Sequence, residues 1–265
     1  MDIEFKYETL KVEKIGDHVM LITLNRPDVL NAANMQMTEE FEDLENKLEY
    51  DPDWVRCTVM TGAGRAFCAG GDLKVRNTQS IRDWTLMHEI GERLQMKRIE
   101  CTVPRIAAIN GICYAGGLEL AMTSDFMYAD MNAKFAITEC KIGIMPGAMG
   151  TQTLGRAVGE RRAKEIILAG APFSAADAFA WNLVNKVCPT GTVVQEALET
   201  AQLIAENAPL SVRQAKRAIH FGLQTDIRTG YRLELEAYYR LLDTADRREG
   251  IAAFNEKRKP RFTGQ

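Results

Sequence analysis

The chain has 265 residues, 46% of them hydrophobic, with Lys+Arg at 33 against Asp+Glu at 36 and a formal net charge of −3. That size suits one large core plus an appended element, and the near-balanced charge argues against a nucleic-acid-binding face. Six scattered cysteines without a CxxC pair read as reduced thiols, and no apolar run approaches the roughly 20 residues of a membrane helix, so a cytoplasmic protein without a membrane partner is expected.

Residues 18–24 (HVMLITL) are β-branched and apolar and are closed by Asn25-Arg26-Pro27, which predicts a buried strand and a turn. A helix follows over residues 38–50, with Phe41, Leu44 and Leu48 at helical spacing and Asp51-Pro52 as its stop. After a strand over 57–61, a helix over 81–99 carries Ile81, Trp84, Met87 or His88, and Leu94 on one predicted face. A strand over 105–109, a helix over 118–123 and a strand over 126–129 continue a strand–strand–helix rhythm, the mark of an α/β layer architecture. Ser174-Ala175-Ala176-Asp177 has capping spacing and leads through Trp181 into a strand over 183–187. Beyond about Thr192 the pattern is helical: 194–207, a break at Pro209, then 211–221 and 226–243, with Leu233, Ala237, Tyr238 and Leu241 on one stripe. The shift in composition divides residues 1–195, a core carrying the site, from a helical region over 196–265. An apolar helical face with no sheet beside it predicts contact with a neighbouring subunit.

Two stretches, residues 55–71 (VRCTVMTGAGRAFCAGG) and 103–117 (VPRIAAINGICYAGG), each end a strand-like run in Ala-Gly-Gly. One Ala-Gly-Gly alone reads most simply as a tight turn that needs glycine. Two of them, each at a strand-to-helix junction, bring backbone N–H groups to where they can hold a developing oxyanion, and so point to chemistry on a carbonyl. Glu119 follows the second within one helical turn, as a dipole-compensating residue or as an acid/base group. Glu139, after Phe135, reads alone as a solvated loop acid. His18, His88 and His220 lie outside these motifs and there is no Gly-x-Ser-x-Gly, which argues against Ser–His hydrolysis and a zinc site. Phe67 stands where a dinucleotide fingerprint beginning at Gly62-Ala63-Gly64 needs its third glycine. Cys68 has no visible partner base and reads as packing.

The combination of Leu24-Asn-Arg-Pro27 with Asn31-Ala32, Ala66-Phe-Cys-Ala-Gly-Gly-Asp-Leu73, Ile109-Asn-Gly111 with Ala115-Gly-Gly-Leu-Glu119, Phe135 to Glu139, Pro146-Gly147 and the tail Lys257-Arg-Lys-Pro-Arg-Phe262 resembles the crotonase (enoyl-CoA hydratase/isomerase) superfamily over essentially the whole chain. The resemblance implies an α/β fold, a crotonase-like spiral of ββα units with a C-terminal α-helical trimerisation region, assembled as a homotrimer or a dimer of trimers. It implies an acyl-CoA thioester substrate, with the N–H groups of Ala69 and Gly116 as the oxyanion hole and Glu119 and Glu139 as a catalytic pair whose pKa values are pushed apart. It also implies that Gly70, Gly71, Asp72, Leu73 and Gly147 line the substrate. Arg26, Lys257 and Lys259 are candidates for the coenzyme's phosphates, and Asp72 is alternatively a plain N-cap. The implied reaction is reversible addition of water to a 2-enoyl-CoA through a thioester enolate, giving a 3-hydroxyacyl-CoA, with no cofactor because coenzyme A arrives as part of the substrate. The alternatives are an isomerase or another reaction of the superfamily on a branched or cyclic acyl-CoA, and a non-catalytic RNA-binding homologue, against which the charge balance argues. Trp84 and Met87 are candidates for the acyl pocket or for the core. Tyr114 before the second Ala-Gly-Gly, Ile137-Thr138 before Glu139, and Met149, which would add bulk near the site, depart from the commoner pattern and imply an unusual acyl group.

Overall fold

In the computed structural model, which describes residues 5–50 and 54–265, the strands form a six-stranded and a four-stranded sheet. The larger has the order β1 (Leu10–Ile15), β2 (Val19–Leu24), β3 (Cys57–Gly62), β5 (Arg105–Ile109), β7 (Phe126–Asp130), β10 (Lys186–Cys188); only β1 and β2 pair antiparallel. The smaller has the order β4 (Ala66–Cys68), β6 (Ile112–Tyr114), β8 (Lys134–Ala136), β9 (Phe173–Ser174), with β9 antiparallel. Each of β3, β5 and β7 hands the chain to the small sheet before a helix begins, so the strand–strand–helix rhythm is a spiral. The proposed helix stop at Asp51-Pro52 lies outside the described residues.

β3 and β5 are buried along their whole length, as expected for parallel strands covered on both faces. Their side chains alternate. Met60, Ala107 and Ile109 face α1 (Met35–Tyr50) and its neighbours, while Cys57, Val59, Ile106 and Ala108 pack with the alanines of α8 (Val193–Ala205). The composition shift near residue 195 therefore falls inside a helix that belongs to the sheet, and the helices with no sheet beside them begin at Pro209.

Several elements differ from expectation for local reasons. Helix α1 starts at Met35, because Asn34 Oδ1 accepts the Met37 N–H at 3.0 Å. After the short α2 (Leu73–Arg76), α3 (Ile81–Glu100) has the predicted length but buries only Leu94, Gln95 and Arg98; Ile81 is 88% exposed. Its first half is mostly exposed, and the residues that border the site, His88, Gly91, Leu94, Gln95 and Arg98, follow from its middle onward. Following α4 (Gly116–Ala121), α5 (Gly150–Val158) and α6 (Glu160–Ala169), the Ser174–Asp177 capping box opens α7 (Ala175–Ala180), and the strand expected over 183–187 forms later, as β10. Pro209 starts α9 (Pro209–Gly222) rather than merely breaking a helix, its missing N–H being unneeded in a first turn. α10 (Ile227–Tyr239) returns against α9, with Gly222 and Gly230 allowing close backbone approach. Of its predicted stripe Ala237 is buried, but Tyr238 is 56% exposed. A further helix, α11 (Ala245–Glu256), completes the chain. No helix among the described residues is long and apolar enough to cross a membrane.

Candidate active site

The loop after β4 is shaped by Gly70, whose φ of +101 suits glycine and whose β-carbon would meet that of Ala115 at 2.9 Å. The Ala33 N–H donates to the Gly70 carbonyl at 2.7 Å and the Asp72 N–H to the Ala33 carbonyl at 2.9 Å. This single parallel bridge leaves the Gly71 N–H on the opposite side of the strand. The second loop brings Gly116 there. A β-carbon built on Gly116 would lie 3.8 Å from the Gly71 nitrogen, and one on Gly70 would lie 3.3 Å from the Gly116 nitrogen. Gly116 is the first residue of α4, so its N–H has no intrahelical acceptor. Among the described residues neither amide has a partner. Ala69 is different: its N–H donates to the Leu30 carbonyl at 3.0 Å and is consumed within the loop. The converging pair is therefore Gly71 and Gly116, not Ala69 and Gly116.

Ala115 holds φ 51 and ψ −131 just before this junction, a strained conformation for a residue with a β-carbon. The side chains of Asn31 and Asn110 brace the first loop. Asn31 donates to the carbonyls of Ala63 and Ala66 at 2.9 and 2.8 Å, and Asn110 donates to those of Gly62 and Gly64 at 2.9 and 3.0 Å.

Glu119 and Glu139 are both buried and line one cavity of about 410 Å³ with these loops. Glu119 Oε1 accepts the N–H groups of Ala148 and Gly150, each at 2.8 Å, while Oε2 lies 3.9 Å from the β-carbon position of Gly116. Burial pushes its pKa up, and the two amides and the Arg76 guanidinium pull it back. Glu139 sits in a short 3-10 helix, Glu139–Ile142, with Oε2 covered and unpartnered, so the reading of a solvated loop acid is corrected. Its pKa is raised, first by burial; nearby amides of Glu139 and Thr138 oppose the rise without forming well-aligned bonds, and the charge of Glu119 adds to it. Two buried carboxylates in one cavity thus have unequal support for their charge.

Of the residues singled out in the sequence, Glu119, Glu139, Ala69, Gly70, Gly71, Leu73, Gly116 and Gly147 line this cavity. Arg26 does not. Its guanidinium pairs with Asp72 at 3.2 Å and with the Ala32 carbonyl, bracing the loop from behind rather than waiting for a phosphate. Asp72 accordingly occupies the N-cap position of α2 without a capping bond. Lys257 is the exposed, left-handed C-cap of α11, outside the cavity lining, and Lys259 pairs with Glu206 at 2.8 Å. A wider concavity around Arg258, Lys259 and Arg261, about 830 Å³, shares no residue with the carboxylate site. Trp84, Met87 and Met149 are also absent from the lining; Met149 takes φ 75 at the N-cap of α5, where glycine would be at ease. His88 and Arg76 do line it, and sequence reading had assigned neither to the site. Burial quenches Cys68, whose thiol is pushed up to about 11, in keeping with a packing role.

Known proteins share this spiral of strand–strand–helix units. The enoyl-CoA hydratase/isomerase family model matches residues 14–265, and the chain belongs to that family. It is 39% identical to the mitochondrial enoyl-CoA hydratase of Pongo abelii, over 98% of this chain and 89% of that protein. It is 38% identical to the short-chain-enoyl-CoA hydratase of Clostridium acetobutylicum, over 94% and 95% of the two chains. Among solved structures, the enoyl-CoA hydratase of Bacillus anthracis superposes with a TM-score of 0.95 at 38% identity, covering 97% of this chain and 100% of that one.

Proposed function

We propose that this protein is an enoyl-CoA hydratase, a hydro-lyase that adds water reversibly to a 2-enoyl-CoA, with the thioester oxygen held by the N–H groups of Gly71 and Gly116. The observation that carries the reading is the placement of two buried carboxylates, Glu119 and Glu139, in one cavity with that amide pair. As negative charge moves onto the thioester oxygen, preorganised amides stabilise it without reorganising; one such donor contributes about 2.7–4 kcal/mol to the barrier.

Unequal support divides the roles. Glu119, with two amides on Oε1, keeps its charge more readily and acts as the base: it takes a proton from water while the water oxygen bonds to the β-carbon. The electron pair of the double bond moves onto the thioester as an enolate. Glu139, whose uncovered need is for a proton on Oε2, donates one to the α-carbon as the enolate collapses. Proton return from Glu119 to Glu139 through solvent restores the site. No cofactor is needed, since the thioester itself is the electron sink.

The exposed apolar side chains of Ile219, Leu223, Ile227 and Tyr231, on α9, α10 and the turn between them, support assembly as a homotrimer or a dimer of trimers. The reduced thiols and the absence of any disulfide among the described residues accord with a cytoplasmic setting.

The test follows loss of the conjugated enoyl-thioester absorbance on adding the protein to 2-butenoyl-CoA, with Glu119→Gln and Glu139→Gln alongside. Rapid loss that both substitutions abolish is expected. Near-intact activity in either variant would instead indicate a one-carboxylate isomerase.

A further inference from the structure

Arg76 has a feature that hydration alone does not require. Its guanidinium lines the cavity that holds Glu119 and Glu139, lies against the space a Gly71 side chain would fill, and rests over the Trp84 ring at 5.0 Å. None of its donors meets an acceptor among the described residues, and Nε is fully covered without a partner. The two carboxylates act on it through space only, and neither pairs with it. A cation held in a half-buried site with no hydrogen-bonded counter-charge is costly unless something else completes it.

Arg98 is a second guanidinium in the cavity lining. Arg98 stacks on Phe41 at 4.2 Å, and Glu45 is shared between Arg98 and Arg105, so one positive charge is in excess among three buried side chains. The complement of these two features is an anion on the acyl group. The guanidinium fork matches a carboxylate, which two parallel N–H donors hold in one plane. The coenzyme's phosphates are a poor fit, because Arg76 stands beside the amides that take the thioester, and the pantetheine arm separates those phosphates from it.

We propose that Arg76 is a specificity-determining residue that receives a carboxylate borne by the acyl group near the reacting double bond, so that the preferred substrates are coenzyme A monothioesters of unsaturated dicarboxylic acids. This rests on the acyl-CoA reading of the site given above.

Two measurements test it together. Calorimetric titration compares glutaryl-CoA with butyryl-CoA, which are saturated and do not react, and hydration assays compare the coenzyme A monothioester of (E)-pent-2-enedioic acid with 2-butenoyl-CoA. The protein is expected to favour the carboxylated member of each pair by about tenfold or more, the scale of a hydrogen bond to a charged group, and Arg76→Met and Arg76→Gln to erase that ratio. Equal affinity of the unmodified protein for glutaryl-CoA and butyryl-CoA overturns the proposal without needing any variant to fold. A proportional loss on both substrates in the variants, with the ratio kept, overturns it too and leaves Arg76 as a counter-charge to the carboxylates. Preferential binding of glutaryl-CoA with no hydration of either enoyl thioester upholds the role of Arg76 and refutes the hydratase reading, whereas no binding of either thioester refutes both.

Discussion

Replacing Gly150 by alanine separates catalysis from stability in this site. A β-carbon there would stand 2.8 Å from Glu119 Oε1, closer than real β-carbons come, and 3.0 Å from both Glu119 Cγ and Pro146 Cβ, which is unusually tight. The least constrained neighbour is the carboxylate, which must leave the two amides that hold it at 2.8 Å. A hydrogen bond to a charged group is worth about 1.5–3 kcal/mol. Losing about 2 kcal/mol of that orientation slows turnover about 30-fold, at about 1.4 kcal/mol per decade. Gly150 opens α5 without a left-handed φ, so the helix preference of alanine offsets part of the lost bonding, and the unfolding free energy is expected to fall by no more than about 1–2 kcal/mol with the fold kept. Steady-state hydration of 2-butenoyl-CoA and urea unfolding of the same preparation read the two effects. Turnover within twofold of the unmodified protein, with the fold intact, would refute the claim that the amide cradle positions Glu119.

The pH profile of hydration should be bell-shaped. Glu119 works as the anion, so protonating it below its raised pKa stops the reaction on the acid side; Glu139 works as the acid, so deprotonating it stops the reaction on the alkaline side. A rate independent of pH on the alkaline side would remove the acid role of Glu139. Because the charge of Glu119 raises the pKa of Glu139, Glu119→Gln should move the Glu139 titration to lower pH, read by carboxyl carbon NMR. Glu45→Gln strands Arg98 and Arg105 as buried cations and should cost about 3–5 kcal/mol in urea unfolding; a cost under 1 kcal/mol would show that water reaches them. With a thiol reagent near pH 8, exposed Cys140 should label first and Cys57, pushed up to about 12 by burial, scarcely at all. Equal labelling rates would contradict the packing of β3.

Which parts of this were legible in the sequence follows the range of the interaction that decides them. Glu119 and the second loop announce themselves because the glycines, the carboxylate and the helix start lie within a few residues. The choice between Ala69 and Gly71 as the inward-facing amide is made by the bridge from Ala33 to Gly71, across nearly forty residues of chain, and no local pattern encodes it. Arg26 looked free for the same reason: its partner Asp72 is distant in sequence. The helical period of α3 was readable, yet its buried side was not, since burial there depends on how α3 packs against the distant α1. α11 shows little apolar rhythm and buries only Ala253 and Asp246, the latter accepting the N–H groups of Thr263 and Gly264 at 2.7 and 2.8 Å. Arg76 had no local signal at all, being one of two cations on a single-turn helix.

Both converging donors are main-chain amides, which sets how this gene can drift. A codon change at Gly116 to alanine adds a methyl with only ordinary contacts, the nearest at 3.8 Å, and leaves the N–H where it was. At either amide position only proline deletes the donor outright. The carboxylates have no such protection, for a single base change turns Glu119 or Glu139 into glutamine. Inherited variation in this lineage is therefore expected to alter proton delivery and acyl choice long before it erodes the grip on the carbonyl.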